Sequence, residues 1–344
     1  MITLQYLLKW LHSKNILLNN CYYDLLIKYK IYTYKKRIYA KYILFLYACN
    51  TGRYDIIKLL IENIANNDNT FFKCKTINDI ALKLALEKYN YDYDIIKFLI
   101  KNGADIHLIN DTALENACIS NNYNVVKLFI ENGVNICANN DRVLKAAFEH
   151  CHCNIIELLI ENGDNACAHN NYAILESSEL GYYHIVKLLI KKGANVHADD
   201  DRAIKLASYH GHYDTVKLLI ENGANIRAGD DWSLRKAVAN GHYEIIKLLI
   251  KNGADVRANN DRLLKKAVDH GNYNIVKLLI ENGADVRVDN DWSLKKAVDN
   301  GNYDIVKLLM EHGANLNACG EKELFLAFKR CHYNIASLLI KKYD

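Results

Sequence analysis

His150, Cys151, His152 and Cys153 stand in a row, and all four are of types that bind zinc. Zinc holds such groups at the corners of a tetrahedron. Neighbours on one short turn cannot all converge on a single ion, so no metal site and no cofactor are expected. His152, His212, His242 and His332 share one position ahead of an apolar run, where hydrogen bonding within a turn is the expected role. The sequence has no phosphate-cradling glycine loop, no nucleophile elbow and no His-Glu-x-x-His signature. An enzyme is not expected.

A second pattern carries binding chemistry. At a fixed interval, Arg142, Tyr172, Arg202, Trp232, Arg262, Trp292 and Lys322 alternate cation with aromatic. A column further on, His150, Leu180, His210, Asn240, His270 and Asn300, alternates less cleanly. Duplication of a pair of units would produce both columns. Trp and Arg are also the residue types that most often carry interface energy. On neighbouring units they can interleave as cation–π contacts. Lys236, Lys266 and Lys296 lie close by, with Arg227, Arg257 and Arg287 in the loops, while acidic residues are nearly absent from these columns. The candidate partner-binding residues are therefore Arg202, Trp232, Arg235, Arg262, Lys265, Trp292 and Lys295.

The elements that position these residues follow from glycine. Gly103, Gly133, Gly163, Gly193, Gly223, Gly253, Gly283 and Gly313 follow one another at a constant spacing. A fixed period of that order defines a solenoid, in which each unit buries its apolar side against its neighbours. In the unit Asp261 to Asn290, Leu264, Ala267 and Val268 mark one buried helical stripe. Asp261 is the expected N-cap of that helix, as are Asp111, Asp141, Asn171, Asp201, Asp231 and Asp291 in their units. A turn at Gly271 leads to a second helix with Tyr273, Ile275, Val276, Leu278, Leu279 and Ile280 on a broad apolar face. Gly283 is the expected left-handed C-cap, followed by an extended link. Two helices of about nine residues are too short to persist alone, so stacking is obligatory.

The segment "GHYEIIKLLIKNGADVRA" at Gly241–Ala258 resembles the second half of the ankyrin repeat, and it recurs along the chain. Where that family has Thr-Pro-Leu-His-x-Ala, Trp232–Ala237 and Trp292–Ala297 keep only the leucine and the alanine. The period here is 30 against the family's 33, which shortens the projecting hairpin to a tight loop. The resemblance implies an all-α ankyrin-type helical solenoid of about ten helix-turn-helix repeats with short projecting loops. It covers residues 41–344, with the first two repeats irregular and the regular period running from about residue 111. Residues 1–40 are read as an N-terminal cap or degenerate repeat. Proline is absent while Asn and Tyr abound, and this version resembles the ankyrin arrays of giant amoeba-infecting (mimivirus-like) DNA viruses.

Composition bounds the partners. The net charge of +4 excludes a polycation, and no run of 18 apolar residues suggests a membrane span. Ten cysteines show no disulfide framework, which fits reduced thiols. Cys137 and Cys167 share a loop position one repeat apart, too far for a disulfide. The resemblance implies a monomeric, non-enzymatic protein–protein scaffold. Its expected partner is a host protein with an acidic surface, bound on the concave face in the host cytoplasm. Two alternatives are single-stranded nucleic-acid binding by the same face and a ubiquitin-ligase adaptor working through residues 1–40.

Overall fold

The computed structural model describes residues 44–46, 48–49, 51–57, 75–86, 92–108, 111–136, 142–163 and 170–340, and among them there are helices and turns but no strand. The helices come in antiparallel pairs: α1 (Lys75–Leu86) with α2 (Tyr93–Lys101), α3 (Asp111–Ile119) with α4 (Tyr123–Glu131), and α5 (Arg142–Glu149) with α6 (Cys153–Asn162). Next come α7 (Asn170–Glu179) with α8 (Tyr183–Lys191), α9 (Ala198–His210) with α10 (Tyr213–Glu221), and α11 (Ala228–Asn240) with α12 (Tyr243–Lys251). The remaining pairs are α13 (Ala258–Asp269) with α14 (Tyr273–Glu281), α15 (Val288–Asn300) with α16 (Tyr303–Glu311), and α17 (Glu321–Lys329) with α18 (Tyr333–Ile340). Helical residues also flank Gly52. The expected cap over residues 1–40 lies outside the described residues, as do Cys137 and Cys167.

Two compact units emerge, Met1–Gly163 and Asp164–Asp344. In the second, first helices stack on first helices (α7, α9, α11, α13, α15, α17) and second helices on second helices (α8 through α18). This is the architecture of a helical solenoid, and its core is the seam between the two rows. In α12, Ile245, Ile246 and Leu249 are buried on one face. Each such side chain contributes roughly 1.5–3 kcal/mol by leaving water. Tyr213, Tyr243, Tyr273 and Tyr303 are exposed, so the apolar face of the second helix begins later than the sequence suggests. They occupy the first helical position, where the side chain is outside the seam.

The second helix ends as expected. Gly253 has φ +96°, its N–H donates to Ile250 O at 3.0 Å, and the Ala254 N–H donates to Leu249 O at 3.0 Å. The Asn252 side chain donates to Leu248 O at 2.8 Å, so the last carbonyls are satisfied by an Asn-Gly pair. Gly163 is the exception in the glycine column: its backbone is extended, with φ −76° and ψ 132°. Nothing lies within 4 Å of where a Cβ on Gly253 would sit. Gly253→Val is thus penalised by backbone strain alone, and its urea midpoint is expected to fall by the equivalent of roughly 1–3 kcal/mol.

The link after the glycine buries Ala254, Val256 and Ala258 and turns through Val256 and Arg257, where the Ala258 N–H donates to Asp255 O at 3.1 Å. Then comes a feature that corrects the N-cap expectation. Asp199, Asp200 and Asp201 take φ of 51°, 58° and 55°, and Gly229, Asp230 and Asp231 take 65°, 59° and 52°. Asp289, Asn290 and Asp291 do the same at 52°, 56° and 54°. This left-handed turn is what replaces the projecting hairpin. Asn, Asp and Gly tolerate the αL region best, which explains why these positions hold those types.

The aspartate at the end of the turn does not cap its own helix. Asp201 Oδ1 accepts from the Asn225 N–H at 2.6 Å, and Asp231 Oδ1 from the Asp255 N–H at 2.9 Å. Asp261 Oδ1 accepts from the Asp285 N–H at 3.1 Å, and Asp291 Oδ1 from the Asn315 N–H at 2.7 Å. All four carboxylates are buried. Each fastens the start of a first helix to the link that follows the second helix, 24 residues on. Arg227, Arg257 and Arg287 approach Asp231, Asp261 and Asp291 from one helical turn upstream, and His197 does so at Asp201.

Candidate protein-binding face

In α9, α11, α13 and α15 the right-handed part starts just after the left-handed turn, which sets Arg202, Trp232, Arg262 and Trp292 side by side on adjacent helices. Arg202 and Arg262 are exposed, whereas Trp232 and Trp292 are half-buried, less open than the sequence reading made them. The Trp232 ring lies 6.3 Å from Tyr209 on the preceding helix at 37°. Lys236 Nζ sits 5.3 Å from the Trp232 ring centre and 5.9 Å from that of Tyr209. A cation so placed gains about 0.5–1 kcal/mol at an exposed site. The cation over Trp232 therefore comes from its own helix, one turn on. Among the described residues, neither Arg202 nor Arg262 makes the interleaved contact that the column suggested.

Tyr209 is held from behind. Its carbonyl accepts from Asn240 Nδ2 at 2.7 Å and from His242 Nε2 at 3.0 Å, both on the next repeat. His212 Nε2 meets Glu179 O at 2.8 Å, and His152 Nε2 meets Ile119 O at 3.0 Å. A carbonyl only accepts, so these rings carry their proton on Nε2. The histidines thus join one repeat to the one before, rather than bonding within their own turn. The position before the ring is held by glycine for a steric reason as well. A Cβ on Gly211, whose φ is +87°, would meet the His242 ring at 2.7 Å.

Trp292 has different surroundings from Trp232. The counterpart of Tyr209 is Asp269, and Lys296 pairs with it at 3.1 Å. The column that holds Tyr209 reads Glu149, Glu179, Tyr209, Ala239, Asp269, Asp299, Lys329, so its one aromatic was visible as an outlier. That same column supplies carboxylates to a face that reads as basic from the sequence. Lys205 pairs with Asp200 at 2.6 Å, Arg235 with Asp230 at 3.4 Å, and Lys265 with Asp289. The face is therefore mixed in charge. Arg202, Arg262 and Lys295 have no carboxylate partner among the described residues.

In the zinc-type run the His150 and His152 rings stack 6.0 Å apart, each turned to a backbone carbonyl. Cys151 takes the glycine position with φ +57°, and the His150 and His152 rings lie on the carbonyls of Ala146 and Ile119. Among the described residues, no group of three or more His, Cys, Asp or Glu is placed to hold a metal ion. Burial pushes the thiols of Cys49 and Cys118 up to about 12, so neither is a ready thiolate. Of the described helices, none is long and apolar enough to cross a membrane.

Helix pairs stacked in two rows and joined by short links define a helical repeat solenoid. The family model for ankyrin repeats (3 copies) matches residues 82–170, 164–230 and 233–290, and that for the single ankyrin repeat matches residues 294–321. The chain belongs to the ankyrin repeat family, whose members are generally non-enzymatic protein–protein interaction modules. No curated protein matches its sequence.

Proposed function

We propose that this ankyrin array is a non-enzymatic scaffold that grips a protein partner on the face formed by α9, α11, α13 and α15. The observation that carries this reading is the Trp232–Tyr209–Lys236 cluster. It offers two rings and a cation on a surface where Tyr209 is 39% exposed. Around it, the cations Arg202, Arg262 and Lys295 suit an acidic segment bearing an apolar or aromatic side chain. The proline-free, Asn- and Tyr-rich composition supports a viral origin, hence a host protein met in the host cytoplasm.

Trp232→Ala and Trp292→Ala distinguish this reading from a packing role. After identification of the partner by pull-down from infected cells and mass spectrometry, Trp232→Ala is expected to weaken its measured affinity by about 2 kcal/mol. Because Trp232 is half-buried against Tyr209, a stability loss of about 1 kcal/mol accompanies it. Loss of stability with affinity intact would assign the ring to packing. Single-stranded nucleic acid fits less well, since the loop carboxylates Asp200, Asp230 and Asp289 already hold three of the cations. An adaptor role through residues 1–40 lies outside the described residues.

A further inference from the structure

In the helix pair α17–α18, one face breaks the pattern of its neighbours. At the preceding repeat, Asp291, Leu294 and Val298 are buried between adjacent first helices. Their counterparts are Glu321, which is exposed, Leu324, which is half-buried, and Phe328, which is 46% exposed where Val298 is 0%. Beside them Phe325, the counterpart of Lys295, is 64% exposed. Ile340 on α18 is exposed too. A solenoid face that is left to water is ordinarily polar. Two exposed phenylalanines on one face are instead the mark of an interaction surface.

The charges around this face say what covers it. Helix α17 runs from Glu321 to Lys329, and Phe325 is its midpoint. Residues four apart follow one face of a helix, so Glu321, Phe325 and Lys329 form a line, with Phe328 alongside. Glu321 and Glu323 lie in the first turn and Lys329 in the last, and Glu321 and Lys329 are both exposed. A two-fold axis through Phe325 sets two such helices antiparallel. It stacks Phe325 on Phe325 of the partner copy and opposes Glu321 to Lys329 of the partner copy, twice over. The helix dipoles also oppose, which is favourable. A surface that complements itself under a two-fold rotation is what an isologous dimer requires.

We propose that this protein forms a two-fold dimer through the exposed face of α17, with the second copy of the chain as the occupant. The sequence alone leads to a monomer; the geometry of this face leads to a pair. The test is sedimentation velocity of the full chain over a range of micromolar concentrations. The wild-type chain is expected to associate to a dimer. Phe325→Lys, which restores the residue type found at Lys295, should weaken association about thirtyfold while circular dichroism and melting are unchanged. Glu321→Lys and Lys329→Glu should each weaken it alone, and an equimolar mixture of these two variants should recover a heterodimer. A chain that stays monomeric throughout, a dimer indifferent to Phe325→Lys, or a mixture that fails to associate would each overturn the proposal.

Discussion

Removal of Asp261–Asn290, one whole period, is expected to leave a soluble helical protein that melts only slightly below the parent. The cut joins Asn260 to Asp291, so a left-handed turn of the same residue types reforms at the junction. The Asp231 carboxylate keeps the Asp255 N–H, and Asp291 keeps the Asn315 N–H. Only the Asp261 to Asp285 bond goes with the deleted unit. Second helices still meet second helices, because α14 is replaced by α16, which buries the same positions: Ile275, Val276 and Leu279 become Ile305, Val306 and Leu309. Stability in a stack of this kind is close to a sum over units and junctions, so the loss is one unit and one junction. Removing only Asp261–Ile275 should give aggregation instead, since the rest of α14 is left with no first helix to cover Val276 and Leu279. Circular dichroism, gel filtration and thermal melting read both outcomes. Equal behaviour of the two deletions would mean that the sequence period is not the structural unit.

Asp261→Ala is expected to cost about 1–3 kcal/mol, the range for stranding a buried hydrogen-bonding group. The change strips the acceptor from the Asp285 N–H and the neighbour from the Arg257 guanidinium, 3.4 Å away. Asp261→Gly tells the two possible roles apart. A helix N-cap changed to glycine loses only a few tenths of a kcal/mol. The backbone of Asp261, at φ 54°, would even relax with glycine in place. If the carboxylate fastens the first helix to the link after the second, glycine still forfeits that bond and the chemical denaturation midpoint falls clearly. A midpoint equal to that of the parent would return Asp261 to the capping role.

Much of the fold could be read directly, because glycine at a helix end and apolar spacing of three and four are local signals. The Gly253 cap and the buried Ile245, Ile246 and Leu249 needed no knowledge of what the next repeat brings alongside. The aspartate bonds needed knowledge of where the link 24 residues on comes to lie. An Asp before a helix is written the same way whether its carboxylate turns back to its own first turn or forward to the next link. The Asp-Asp-Asp, Gly-Asp-Asp and Asp-Asn-Asp triplets were the available clue, since three such residues in a row favour a left-handed turn over a single cap. The binding face was half legible for a similar reason. The Trp and Arg columns stood out by period, but the ring that meets Trp232 belongs to another column and another helix. The charge balance was misread because the opposing aspartates sit in the loops and just before the inter-helix turn, outside the columns compared.

These aspartate bonds also have a direction. Each carboxylate takes the amide 24 residues further along, so every period carries one plug and one socket. Any stretch one period long, wherever it begins, contains one complete set of both. Genetic recombination that adds or removes a whole stretch therefore always rejoins plug to socket, with no favoured point of breakage. An array wired in this way can lengthen or shorten in a single event and fold at once. The alternation of cation and aromatic from one unit to the next is the trace that duplication of a two-unit stretch would leave.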